Sequence, residues 1–221
     1  MKIELIDSNL SERDKKVIIE LASEHAADLD VHVFNKKSKI FPYMKAREEL
    51  RTSEYMNRIG TVGYRGANLI VCRNPDGDIV GYLLYVCGVN NPKIKSIIST
   101  VVVKKYRKQG ILSSMLTALF ELSNAISLTC KISNIPLYEK FGFKVSKQWE
   151  TMVGMSTDIS LSDSIMTVDE DFLANHHYVK SAWQSLSPTN PKKVTKWYNE
   201  MVKDSQKEIK DVTTFFANNY A

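Results

Sequence analysis

The sequence predicts an α/β (α+β) fold: a mixed, mostly antiparallel central sheet flanked by helices and followed by a helical C-terminal extension. Three observations carry this reading. Asn68 to Arg73 and Ile79 to Val89 are strand-like runs separated by Asn74-Pro75-Asp76-Gly77-Asp78, whose turn chemistry pairs them as a hairpin. Between Ile97 and Asn124 the apolar period changes. Ile97, Ile98 and Val101 to Val103 form a covered strand, whereas Ile111, Met115, Leu119 and Leu122 fall on one helical stripe widened by Leu112, Leu116 and Phe120. From Thr157 onward the composition shifts to sparse helical stripes, so the chain divides into residues 1–156 and an extension over 157–221.

Taken in order, Lys2 to Ile6 alternates as a first strand. Ser11 with Asp14 resembles a capping box, and Val17, Ile18, Leu21, Ala22 and His25 continue a helical stripe to about Ala27. His25, at the end of that helix, reads as a surface or helix-terminal histidine in preference to a base. Asn35 to Lys39 is loop-like, and Met44 to Ile59 is helical in composition. Gly60, Gly63 and Gly66 mark a loop with no helix start behind it, a poor phosphate cradle. Lys93 to Val103 adds a strand to the hairpin. The helix from Gly110 to Asn124 then leads to a parallel strand, Ile126 to Ile132, by a right-handed crossover, with Val101 to Val103 splaying from that strand.

Pro136 fits the first turn of a short helix with Asn134 as its cap, Gly142 ends that helix and Phe143 starts a strand. Lys144 to Met155 continues the sheet, either as one strand or as a short hairpin. In the extension, Asp163 to Asp171 is acidic, and Phe172, Val179, Trp183 and Leu186 form a stripe. After the break at Ser187 to Pro191 a long amphipathic helix presents Val194, Trp197, Tyr198, Met201, Val202, Ile209 and Val212. His176 and His177, adjacent on a helix, point to different sides and make a poor metal pair.

The chemistry concentrates in the loop Lys104, Lys105, Tyr106, Arg107, Lys108, Gln109 and Gly110, which joins strand to helix. Loop amides and the helix N-terminus converge on one spot, where unpaired N–H groups, the helix dipole and the flanking cations attract an anion. The stretch lacks both GxxxxGK[ST] and GxGxxG. Arg107-Lys108-Gln109-Gly110-Ile111-Leu112 instead resembles the R/Q-x-x-G-x-G/A loop of the GCN5-related N-acetyltransferase (GNAT) superfamily. Arg107 and Gly110 match, while Leu112 stands where the family has Gly or Ala. Ser133 to Phe143, SNIPLYEKFGF, resembles the family's Asn…Tyr-x-x-x-Gly-Phe segment and follows in the family's order, one helix and one strand later. The resemblance spans about Met1 to Met155 and is dense from Ile79 to Phe143.

The resemblance implies a GNAT-like acetyltransferase domain over residues 1–156. Its activity would be acetyl-CoA-dependent N-acetyl transfer to a primary amine of an unidentified small-molecule, peptide or protein acceptor. Acetyl-CoA (coenzyme A) would bind as co-substrate, without metal, through backbone groups of Arg107, Lys108, Gln109, Gly110 and Ile111, with Lys104, Lys105 and Lys108 adding charge. Val102 and Val103 would pair with the pantetheine arm like an added strand, the Val102 amide polarising the thioester carbonyl. Tyr138 would be the catalytic acid that returns a proton to the thiolate, the alternative being simple packing with Phe143. Asn134 either bonds the cofactor arm or caps its helix. The strand glutamate that many members use as base falls at Ser96 here, which leaves an ordered water, the substrate's own proton loss, Glu54 or His32. Phe41, Tyr43, Tyr55 and Tyr64 are either acceptor wall or core. Cys130 reads as a buried inert thiol, not a nucleophile.

Composition bounds the rest. The net charge of +5 conceals a balance of +7 up to Ser156 and −2 beyond it, and the basic part holds the proposed cofactor loop. Lys93, Lys95, Lys104, Lys105, Arg107 and Lys108 have no acid among them, which suits a polyanion such as coenzyme A. Nucleic acid would also suit that charge, but no zinc finger, RNA-binding signature or aromatic–basic interleaving supports it. No apolar run approaches a membrane span, and three scattered cysteines without a CxxC pattern point to a reducing, cytoplasmic setting. The extension either packs on the core, builds a homodimer or protein-partner interface, or recognises the acceptor. The competing function is a catalytically weak GNAT-fold module that binds coenzyme A or a protein.

Overall fold

The structure is a computed structural model that describes residues 1–220 apart from Asp7 and Asn9; Asp7, Asn9 and Ala221 lie outside the described residues. Strands β1 (Lys2–Ile6), β2 (Ala67–Arg73), β3 (Ile79–Cys87), β4 (Ile94–Val102), β5 (Ala125–Cys130), β6 (Lys144–Trp149) and β7 (Met152–Ser156) form one sheet in the order β1-β2-β3-β4-β5-β7-β6. Only β4 and β5 are parallel neighbours; the other pairs are antiparallel. The β2–β3 hairpin turns where the sequence says it should. Asn74 Oδ1 accepts the Asp78 N–H, and Gly77 takes the left-handed conformation at φ +86° that a side chain disfavours.

Helices cover both faces. On one side α1 (Glu12–Glu24), α2 (Ala26–Leu29), α3 (Phe41–Asn57), α6 (Glu170–Asn175) and α7 (His177–Leu186) pack around Ile18, Met44, Tyr55, Tyr82 and Leu84. On the other, α4 (Ile111–Phe120) and α5 (Ile135–Glu139) pack over Ile70, Leu83, Ile97 and Ile126. The α4 stripe buries Ile111, Met115, Leu116 and Leu119, each contributing roughly 1.5–3 kcal/mol. Ser11 caps α1 by accepting the Asp14 N–H at 3.1 Å. The long helix α8 (Pro191–Tyr220) belongs to both layers. Val194 and Met201 join the first core, while Val212 joins the second, with Phe215 and Phe216 packed against it. Along the way Ser205 Oγ accepts the Val33 N–H, and Gln148 of β6 bonds Thr213 at 2.9 Å.

Several local readings are settled or corrected. The short hairpin open to Lys144–Met155 forms, with its second arm, β7, inserted between β5 and β6, and α4 ends at Phe120 instead of Asn124. Asn134 occupies the α5 N-cap position but makes no side-chain cap bond. His176 is the N-cap between α6 and α7, not a residue inside one helix. Its ring therefore lies against that of His177, centroids 4.3 Å apart, where a continuous helix would have separated them. Tyr43 and Tyr55 are core residues, and the Tyr55 hydroxyl accepts the Val168 N–H.

A buried ion network ties α2, α3 and α6 together. Arg51 reaches Glu48 at 2.7 Å, Glu170 at 2.8 Å and Asp30 at 3.5 Å, and Asp30 also holds His32 Nδ1 at 2.7 Å. Burial opposes charge on Asp30, yet the His32 hydrogen bond and the Arg51 charge outweigh it and bring the carboxyl down to about 2. Glu48 goes the other way, pushed up because burial outweighs its Arg51 partner. A carboxyl held below its unfolded value of about 3.9 stabilises the fold above roughly pH 4, and that stability is lost as the pH falls towards 2. Asp30→Asn therefore lowers the unfolding free energy by about 2 kcal/mol at neutral pH, and urea titration shows the gap from the parent closing between about pH 4 and 2. A gap that does not change with pH contradicts this assignment.

Candidate active site

The site begins where two strands part. β4 and β5 pair only over Ile94 to Ser96 against Ala125 to Ser127. Beyond that, β4 stays on β3 as far as Gly81 against Val102, and β5 stays on β7 as far as Cys130 against Val153. The β3–β4 register shifts between Leu84 and Tyr85, so the pairing passes over Ile98 and a bulge bends β4 at the point of divergence. The Val103 N–H donates to Val80 O at 2.9 Å, so Val103 faces β3. Backbone groups alternate along a strand, which turns the Val102 N–H toward the opening.

The opening is a cleft of about 550 Å3, within the range of small-molecule sites. Thr100, Val101 and Val102 form its β4 wall. Tyr106, Arg107, Lys108, Gly110, Ile111, Leu112 and Ser113 close one end. Lys131, Asn134, Leu137, Tyr138 and Phe141 form the α5 wall, and His25, Asp28 and Leu29 come from the α1–α2 junction.

The loop explains its own sequence. Lys104 to Tyr106 makes one tight 3₁₀ turn, with Tyr106 N–H donating to Val103 O. Arg107 Nε then donates to Val102 O at 2.9 Å, and Gln109 Nε2 donates to Lys105 O at 3.2 Å. Lys108 at φ 62° and Gly110 at φ 78° are both left-handed, so successive amides turn to one side as in an anion-binding nest. Gly110 is the α4 N-cap; its carbonyl accepts from Ser114 N–H. The amides of Lys108 through Ser113 donate to none of the described residues. Six N–H groups at a helix start, with Arg107 and Lys108 beside them, are the arrangement that holds a polyanion.

Of the residues singled out in the sequence, the cleft gathers Val102, Arg107, Lys108, Gly110, Ile111, Asn134 and Tyr138. Val103, Lys104, Lys105 and Gln109 do not line it. Val103 has both backbone groups committed, its N–H to Val80 and its carbonyl to Tyr106. The Lys105 ammonium sits over the Tyr106 ring at 4.8 Å. Ser96, Glu54 and His32 do not line the cleft, and His32 is engaged by Asp30. His25, Asp28 and Lys131 were not expected there; Lys131 Nζ reaches the Ala27 carbonyl at 2.8 Å and holds α2 across the end of the opening.

Tyr138 is 8% exposed and meets Phe143 edge-to-face at 5.8 Å, while its hydroxyl bonds to none of the described residues. Burial, reinforced by Cys130, pushes the phenol up to about 12, so it carries its proton throughout the physiological range. Burial also lifts the Cys130 thiol to about 12, which fits an inert side chain. Among the described residues no cluster of His, Cys, Asp and Glu could hold a metal ion, and no helix is long and apolar enough to cross a membrane.

Comparison with known proteins agrees with this geometry. No curated protein matches the chain significantly. Solved structures do. An acyl-CoA N-acyltransferase from Pseudomonas aeruginosa superposes with a TM-score of 0.51 at 16% identity, over 72% of this chain and 100% of that one. A GCN5-related N-acetyltransferase from Kribbella flavida gives 0.50 at 13% identity, over 70% and 96%. At such identities the likeness establishes the fold. The sequence profile of the Acetyltransferase (GNAT) family matches residues 31–143, just over half of the chain, and takes in β4, the loop and α5. The chain belongs to the GNAT acetyltransferase family, whose members are acyl-CoA-dependent acyltransferases.

Proposed function

We propose that this chain is an acetyl-CoA-dependent N-acetyltransferase acting on a primary amine, with residues 1–156 as the catalytic domain and 157–221 as an extension packed on it. The observation that carries the reading is the row of unpaired amides from Lys108 to Ser113 at the mouth of the β4–β5 opening. Acetyl-CoA supplies the activated acetyl group and, in its diphosphate, the anion this row fits. Lys108, Gly110 and Ile111 bind through backbone N–H groups, and Gln109 braces the turn from behind. Arg107 ties the loop to Val102 by its Nε and contributes charge, as does Lys108 in the cleft lining, with Lys104 and Lys105 adding charge from the preceding turn. Val102 presents its N–H to the thioester carbonyl, where a fixed dipole in a site poor in water stabilises developing negative charge. Asn134, free of cap duty, is placed to bond the pantetheine arm.

Tyr138 is the proton donor to the departing thiolate. The dry wall that holds the phenol protonated also disfavours a thiolate beside it, so donor and acceptor shift in the same direction. The acceptor class is a primary amine, small molecule, peptide or protein side chain, to be identified by screening amines for thiol release.

At about a hundred times its dissociation constant, acetyl-CoA should stabilise the protein by about 2.7 kcal/mol, an upward shift of roughly 5–10 °C in melting temperature. Gly110→Val should abolish most of that shift, because a β-branched side chain at φ 78° forces the loop out of shape. An unshifted parent protein contradicts the cofactor assignment. Tyr138→Phe should bind acetyl-CoA normally and turn over about 100-fold more slowly; turnover equal to the parent's removes Tyr138 from the chemistry.

A further inference from the structure

Building on the amine-acetylation reading, we infer that His25, oriented by Asp28, is the base that prepares the acceptor amine. Both residues line the same cleft as Val102 and Tyr138, on the wall contributed by the α1–α2 junction. His25 Nδ1 lies 3.1 Å from Asp28 Oδ2, and the His25 side chain is 18% exposed. A carboxylate only accepts hydrogen bonds, so the neutral ring carries its hydrogen on Nδ1 and leaves the Nε2 lone pair for another partner; Nε2 bonds to none of the described residues. The junction is fixed in place. His25 N–H donates to Ala22 O as the C-cap of α1, and Lys131, from the end of β5, grips the Ala27 carbonyl two positions on.

The need for a base is chemical. Alkylamines are protonated at neutral pH, with an ordinary value of about 10.4, and an ammonium has no lone pair to attack a thioester. The strand position that would supply a carboxylate holds Ser96, which is buried and outside the cleft, and the loop and α5 walls offer Arg107, Lys108, Lys131, Asn134 and Tyr138 but no carboxylate or imidazole. An imidazole is the side chain suited to take up a proton near neutrality. The ammonium gives one proton to His25 Nε2. The freed nitrogen attacks the acetyl carbon, forming C–N as C–S breaks with its electron pair on sulfur. The second nitrogen proton passes through solvent to Tyr138 as Tyr138 gives its own to the thiolate, and His25 later returns its proton to solvent. The products are the acetamide, the free thiol of coenzyme A and one proton. His25 is thus a catalytic residue and Asp28 a positioning residue.

The test combines thiol release from acetyl-CoA, with n-butylamine and water as acceptor probes, with two readouts independent of turnover. His25→Ala should keep the acetyl-CoA thermal shift, lose about 100-fold in thiol release, and regain at least tenfold when imidazole is added to the solution. In the parent protein without acetyl-CoA, nitrogen-15 NMR should find the neutral His25 ring protonated on Nδ1, and Asp28→Asn should lose that tautomer preference and part of the rate. His25→Ala with the parent's rate, a loss that imidazole does not rescue, or a ring protonated on Nε2 each overturns the inference while leaving the acetyl-CoA reading intact. A parent protein whose melting temperature does not move with acetyl-CoA overturns the acetyl-CoA reading and this inference with it.

Discussion

Everything functional in this chain depends on the failure of two neighbouring parallel strands to stay together. β4 and β5 share three residue pairs and then separate, because each is held from outside by an antiparallel partner, β3 on one side and β7 on the other. Separation leaves backbone groups without a sheet partner, and an unpaired buried N–H is costly. The cost is tolerable only because the opening is a cleft, where the Val102 N–H and the amides at the start of α4 can be met by solvent or ligand. A sheet that stayed closed would satisfy those groups internally and have no site.

The helices turn that opening into a defined shape. Four buried residues of α4 fix its N-terminus against the sheet, so the loop amides point into the cleft as a rigid set. On the far wall, the Lys131 tie to Ala27 holds α2 over the gap. Two arginines away from the cleft are spent on carboxylates. Arg73 is occupied by Glu4 and Asp14, and Arg51 by Glu48, Asp30 and Glu170. Lys104 and Lys108 have no carboxylate partner among the described residues, as a polyanion site requires.

Much of this was legible in the sequence wherever the determinants were local. The Asn74 to Asp78 turn announces its hairpin, the change of period across Lys104 to Gly110 announces strand, loop and helix, and Gly110 stands where a left-handed residue is needed. What escaped was set by long-range pairing. That β7 inserts between β5 and β6 depends on which hairpin arm finds β5. The bulge at Ile98 sets which backbone groups face β3, and with them the commitment of Val103 and the availability of Val102; nothing in the valine run Val101 to Val103 distinguishes them. His25 looked like a surface group because its place in the cleft is created by a helix break and by a lysine far along the chain.

The central claim is that the amides from Lys108 to Ser113 receive the diphosphate of the acyl carrier. Amide-resolved NMR during an acetyl-CoA titration addresses it most directly. The account predicts that these six N–H signals move downfield and become the most strongly protected from hydrogen exchange in the loop, with Gly110 and Ile111 among the largest changes. Saturating acetyl-CoA that perturbs other regions and leaves these six amides unmoved would contradict it.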